Sequence, residues 1–233
     1  MKNRVANDRV EIIQSLLDSR RTRFYLEIGV QSGDTFFWLK AKKKMAVDPR
    51  FLFTTSDKLR WLRWNPYNFF NEYYAVFSDD FFSKKSSMLA ARGLDVVFVD
   101  GLHTYEQSLR DIENSLRYLR EGGVIVVDDC IPPSEPASRP VKPDNNAPWC
   151  GDVWKSIVHL RSLRTDLRVF VLDCAFGLGI VTKGPAQAML EYSVPEINAM
   201  SYEDFALKRH SLLDLKPKEY MAGFLEKHSH TLD

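Results

Sequence analysis

The sequence predicts a doubly wound α/β domain, with a mostly parallel sheet of seven strands that ends in an antiparallel hairpin. Three observations carry this. Short runs rich in Val, Ile, Phe and Tyr recur along the chain, several of them apolar throughout, as expected for parallel strands covered on both faces. Helical patterns alternate with these runs. Near the end, RVFVLDCAFGLGIVTK (168–183) holds two runs joined at Ala175–Phe176–Gly177, the spacing of a hairpin.

Taken in order, Val10, Ile13, Leu16 and Leu17 mark one face of a leading helix. Strands are expected at 24–30, 44–49, 72–78, 94–101 and 123–129. Between the last two, Thr104 and Gln107 form a Thr-x-x-Gln capping box. Tyr105, Leu109, Ile112, Leu116 and Leu119 then share a face, and Gly122–Gly123 end the helix. Strand, helix and strand at this spacing make a βαβ unit. Residues 131–148 hold six of the eleven prolines and no periodicity, and a loop of that length is more often functional than decorative. A helix with Val153, Ile157 and Leu160 on one face follows. Residues 1–183 thus form one domain with its N-terminal helix. Residues 184–233 are a C-terminal extension with no assigned role, expected to pack on the same domain.

Composition narrows the function classes. The 233 residues are 45% apolar and 27% charged, with a net charge of +1, so no strong global field attracts polyanions and no nucleic-acid partner is expected. The basic clusters at Arg20, Arg21 and Arg23 and at Lys40, Lys42, Lys43 and Lys44 read as solvated flanks of buried strands. No apolar stretch approaches the roughly 18 residues of a membrane span, and the N-terminus lacks a signal core. Three widely spaced cysteines without a CxxC point to free thiols in a reduced, cytoplasmic setting. Ten aromatics within 61–82 can wall a pocket or face a subunit of a homo-oligomer, with core packing the first expectation for most.

The candidate site begins at Glu27-Ile-Gly29-Val-Gln-Ser-Gly33, where glycines permit a sharp turn beside a helix N-terminus. A dinucleotide fingerprint would need glycine at 29, 31 and 34. Gln31 and Asp34 stand there instead, so the turn suits a ligand without phosphates. Asp48 closes the second strand, where an acid can hold two ribose hydroxyls. Ser78 and Asp79 close the third, near where an adenine would lie. Their arrival in order at successive strand ends, where open α/β sheets bind ligands, carries more weight than any one of them.

Over about residues 22–183 the chain resembles the class I S-adenosylmethionine-dependent methyltransferases, whose fold is Rossmann-like. The resemblance implies that Glu27 contacts the methionine amino group, that Gly29 and Gly33 shape the turn, that Asp48 holds the ribose, and that Ser78 and Asp79 lie by the adenine. Gln31 departs from the pattern, since many members have glycine there.

A second constellation is Asp100-Gly-Leu-His103-Thr-Tyr105-Glu106 followed by Asp128–Asp129. Adjacent strands bring three carboxylates into one crevice, and their repulsion demands a cation or protons. Oxygen ligation favours Mg²⁺, with Mn²⁺ or Ca²⁺ behind it. The string resembles the metal-dependent branch that includes macrolide-sugar O-methyltransferases and cephalosporin-hydroxylase-like proteins. That resemblance implies Asp100, Asp128 and Asp129 as metal ligands and His103 as the base, with Asp128 where the branch often has Glu. The resulting expectation is a Mg²⁺-dependent O-methyltransferase of a small hydroxylated acceptor, a sugar hydroxyl first. Its rivals are a hydroxylase-associated enzyme and a ligand-binding module on the same scaffold.

Overall fold

The computed structural model describes residues 2–144 and 147–229, with side chains described over 8–144 and 147–227. Eight strands form one sheet: β1 (Phe24–Ile28), β2 (Lys43–Val47), β3 (Glu72–Tyr74), β4 (Leu94–Val99), β5 (Leu119–Val127), β6 (Leu167–Leu172), β7 (Leu178–Lys183) and β8 (Leu215–Lys216). The spatial order is β3-β2-β1-β4-β5-β7-β6-β8. β1 to β5 pair in parallel, and β7 lies antiparallel between β5 and β6. The seven expected strands are present. The eighth is a two-residue strand in the C-terminal extension that pairs in parallel with β6 through Val171 and Leu172. Its shortness hid it, because two residues carry no period.

Alternation along the central strands splits the core in two. Leu26, Ile28, Val97, Val99, Ile125 and Val127 face one side, where α5 (Tyr105–Leu116), α6 (Trp154–Leu163) and α8 (Tyr202–Leu213) cover them. Tyr25, Val96, Phe98, Val124 and Val126 face the other side, under α1 (Lys2–Asp18) and α9 (Tyr220–Ser229). Continuously apolar strands follow from this double cover. The C-terminal extension therefore packs on both faces: Phe205 and Leu212 enter the first core, Met221 and Phe224 the second.

Three local expectations change. β3 ends at Tyr74, and Ser78 and Asp79 open a helix, α3 (Ser78–Lys84), instead of closing the strand. α5 ends at Leu116, and Leu119, Gly122 and Gly123 belong to β5. Nor does a helix follow β1. Residues 31–39 form consecutive turns that bury Phe36, Phe37 and Leu39. Carbonyls that a helix would use are taken by side chains. Lys44 Nζ donates to Phe36 O at 2.7 Å and Leu39 O at 2.9 Å, and the Asn65 amide donates to Phe37, Trp38 and Leu39. The Asn68 amide donates to Phe37 O at 3.1 Å. These donors come from β2 and from the segment after α2 (Thr55–Trp64), so non-local contacts override the local pattern.

Candidate active site

Parallel strands deliver their last residues to one edge of the sheet, and here they deliver two cavities that share Gly29, Gln31 and Asp100. The first, about 340 Å³, is lined by Asp48, Val76, Phe77, Ser78, Asp79, Leu102, Gln107 and Asp111, among others. The second, about 240 Å³, is lined by Arg9, Glu27, Asp34, Asp100, His103, Asp129, Trp149 and Phe176, among others.

The turn after β1 is fixed by backbone crowding. Gly29 sits at φ +84°, and a Cβ there would lie 1.8 Å from the Asp100 carbonyl oxygen. Glycine is thus needed to let the β1 and β4 ends touch, as well as to turn the chain. Gly33 (φ +80°) backs onto the Phe37 ring. Gln31 adopts φ +44°, a left-handed conformation that costs a residue with a Cβ roughly 1 kcal/mol or more. Its N–H donates to Asp48 Oδ2 at 2.9 Å, and Arg50 N donates to Oδ1 at 2.7 Å. Asp48 therefore holds the glycine-rich turn in place while lining the cavity.

Across that cavity Gln107 is the organiser. Thr104 accepts from Gln107 N at 3.4 Å, but the Gln107 amide does not reach back to complete the capping box. It donates to Ser78 Oγ at 3.2 Å, Asp79 Oδ1 at 3.5 Å and Asp111 Oδ1 at 3.1 Å. Burial pushes the Asp111 carboxyl up to about 6, against the hydrogen bonds of Ser78 and Gln107. Asp79 is half exposed and pairs with Arg110 at 3.2 Å.

In the second cavity, Glu27 is buried on β1 and accepts from Tyr25 Oη at 2.5 Å. Burial pushes its carboxyl up to about 8, Tyr25 opposing and the Asp100 charge adding to it. His103 lies between two acids, Nε2 at 3.2 Å from Asp100 Oδ1 and Nδ1 at 3.0 Å from Asp129 Oδ2. Burial disfavours the imidazolium, but the two carboxylates outweigh it and push His103 up to about 11. Asp129 takes φ +60°, strain stored where the acids meet.

Asp100, His103 and Asp129 each offer a ligand atom, all within 4.8 Å of one another. Asp128 turns elsewhere. It is buried and ion-paired with the Arg9 guanidinium. Arg9 also reaches Asp100 at 3.7 Å. Two carboxylates and an imidazole around one point suit a divalent cation, and the buried Asp128 carboxylate behind them adds to the demand for positive charge.

The proline-rich 131–148 segment leads into the site. Trp149 stacks on His103 with ring centroids 4.8 Å apart, and its carbonyl lies 3.0 Å from His103 Nδ1. Gly151 makes this approach fit: a Cβ there would lie 1.6 Å from the His103 carbonyl oxygen. Sequence reasoning missed Arg9, Gln107, Asp111 and Trp149. Its spacing from Thr104 gives Gln107 the pattern of a cap, and nothing in the run around Arg9 separates a site arginine from a solvated one.

Residues 26–130 match a family model described as a methyltransferase domain. No curated protein matches the chain. Among solved structures, the O-methyltransferase TomG from Streptomyces achromogenes, involved in tomaymycin synthesis and solved with SAM, is similar at 18% identity. That match covers 74% of this chain and 78% of that one, with a TM-score of 0.54. An O-methyltransferase from Bacillus cereus in complex with SAH gives 14% identity, 77% and 80% coverage and 0.50. The cofactor-bound protein Rv0187 from MTB gives 16%, 76% and 79%, and 0.56. Likeness at these identities is likeness of fold, and it agrees with the mixed sheet and its antiparallel β5-β7-β6 region. The stretch that matches the methyltransferase-domain model, residues 26–130, lies within an α/β fold of the Rossmann-like methyltransferase type.

Proposed function

We propose that this chain is an S-adenosylmethionine-dependent O-methyltransferase that acts, with Mg²⁺ or Mn²⁺, on a small hydroxylated acceptor, a sugar hydroxyl first. The observation that carries the reading is the juxtaposition of the two cavities: an Asp48-lined crevice opens at Gly29 onto a buried cluster of Asp100, His103 and Asp129. The methyltransferase match over 26–130 supports the donor, as do the cofactors bound by TomG and the Bacillus cereus protein.

In this reading Asp48 holds the donor's ribose, Ser78 and Asp79 lie by its adenine, and Glu27 meets its amino group. Gly29 and Gly33 keep the turn open. Asp100 and Asp129 hold the cation, with Asp128 behind them. A bound cation would lower the pKa of the acceptor hydroxyl. The Trp149 carbonyl can only accept, so it keeps a proton on His103 Nδ1; a cation held by Asp100 and Asp129 would offset the charges that keep His103 protonated, which leaves Nε2 to take the acceptor's proton. The freed oxygen takes the methyl group, and the demethylated donor departs. Arg9 keeps Asp128 from adding its full charge to the cluster.

The test is a binding panel followed by turnover. S-adenosylmethionine or its demethylated product is expected to bind at micromolar level and NAD not to. Mg²⁺ or Mn²⁺ is expected to bind and to be required for methyl transfer to hydroxylated acceptors. NAD binding without donor binding overturns the reading, and undiminished turnover in chelator removes the metal from it.

A further inference from the structure

The chain is nearly neutral as a whole, but its charge is unevenly placed. Residues 38–70 hold eight Lys and Arg against two Asp, a net +6, and the rest is net negative. The same segment exposes large apolar side chains. No residue of α2 is buried. Leu59 is 64% exposed, Trp64 78% and Phe69 68%, with Trp38 and Phe70 also exposed. These belong to one surface. Trp38 packs edge-on against Trp61 at 4.9 Å, the Asn65 amide ties the 37–39 carbonyls to the end of α2, and Phe69 packs on Phe70 at 5.0 Å. Lys43 lies over the Phe70 ring at 5.5 Å. Lys44 is buried and committed to Phe36, Leu39 and Asn68, whereas Lys40, Lys42, Arg60 and Arg63 face solvent.

Single exposed apolar residues are ordinary, but five large ones within one basic patch are not. Tryptophan, phenylalanine and leucine set among lysine and arginine match the chemistry of the water–bilayer boundary. Rings and aliphatic stems enter the headgroup layer while the cations meet anionic headgroups. We propose that the surface formed by the 36–39 turns, α2 and the 66–70 turn is a peripheral docking site for an anionic phospholipid bilayer. Charge argues against a second copy as occupant, because a two-fold contact would set one basic patch against another. Docking of this kind needs no spanning helix, and no helix among the described residues is long and apolar enough to be one.

The test is sedimentation of the full chain with vesicles of phosphatidylcholine alone and of phosphatidylcholine with about a third phosphatidylglycerol. The chain is expected on the anionic vesicles only, with a blue-shifted tryptophan emission and at least a roughly tenfold loss in high salt. Trp64→Ser with Phe69→Ser should lower partitioning at least about tenfold. Arg60→Gln with Arg63→Gln should lower it about fivefold per charge removed. Both variants are surface changes and should unfold within about 2 °C of the parent. Absence from anionic vesicles, or equal partitioning by folded variants, overturns the proposal. So does a dimer that Trp64→Ser dissolves, or a single-stranded oligonucleotide that displaces the vesicles.

Discussion

The two cavities that meet at Gly29 and Asp100 differ in how their polar groups are satisfied. Around Asp48 the hydrogen bonds close within the protein: backbone N–H groups of Gln31 and Arg50 fill its carboxylate, and Gln107 links Ser78, Asp79 and Asp111. Around His103 they do not close without a cation or an added proton. Three carboxylates face one guanidinium, and His103 answers by holding its proton to about 11. A self-satisfied cavity is preorganised for recognition, and one whose charge balance hangs on a proton is poised for chemistry.

The sharpest way to break this contrast is His103→Ala. Turnover is expected to fall by about 10²–10⁴, the range of a general base, while affinity for the demethylated donor stays within about threefold. Single-turnover kinetics beside calorimetry would check both, and added imidazole should restore part of the rate. A pair of amide substitutions divides the cavities more finely. Asp48→Asn leaves one of two converging N–H donors facing an amide NH₂, so donor affinity should fall about 10–100-fold. Asp129→Asn should leave donor affinity nearly unchanged and lower turnover by at least about tenfold. Equal effects of the two on binding would dissolve the distinction.

Most of the sheet was legible because its strands are apolar on both faces and punctuated by glycine, proline and acids at their ends. The acids Asp48, Asp100, Asp128 and Asp129 were legible for the same reason, since strand ends in a parallel sheet converge. What stayed hidden depends on contacts distant in sequence. The turns after β1 look like the start of a helix until Lys44, Asn65 and Asn68 take their carbonyls. Arg9 reaches Asp128 across more than a hundred residues, and Trp149 reaches His103 at the far end of a loop without periodicity. Sequence spacing brought three acids to one edge of the sheet. It could not show that one of them is already paired with arginine.

Glu27 tests the buried side of the contrast through pH. Burial raises its carboxyl to about 8, so the folded chain prefers the protonated form while the unfolded chain ionises near pH 4.3. The stability this group contributes is full below about pH 4 and is lost as pH rises through about 8. Glu27→Gln imitates the protonated form and should escape that loss. Its melting temperature should match the parent's at pH 4 and exceed it by on the order of 8 °C at pH 8. A gap that does not change with pH would mean that Glu27 is not held protonated.

The smallest effects come from the two arginine–carboxylate pairs, one on each cavity. Arg9 meets Asp128, whose side chain is fully buried, and is the cation paired with it. Arg110 meets Asp79 with both side chains about half exposed, and Asp79 also accepts from Gln107. Removing Arg9 leaves a buried carboxylate without its cation, to be relieved by protonation or by a bound metal. Removing Arg110 hands Asp79 back to water. Arg9→Gln should therefore cost about 1–3 kcal/mol and lower the melting temperature by about 4–6 °C, with Mg²⁺ recovering part of it. Arg110→Gln should cost under about 0.5 kcal/mol, less than about 2 °C, and high salt should erase even that. Comparable losses from both would mean that Asp128 finds water in the crevice, and the charge imbalance assigned to the His103 side would then be screened there as it is at the Asp79 rim.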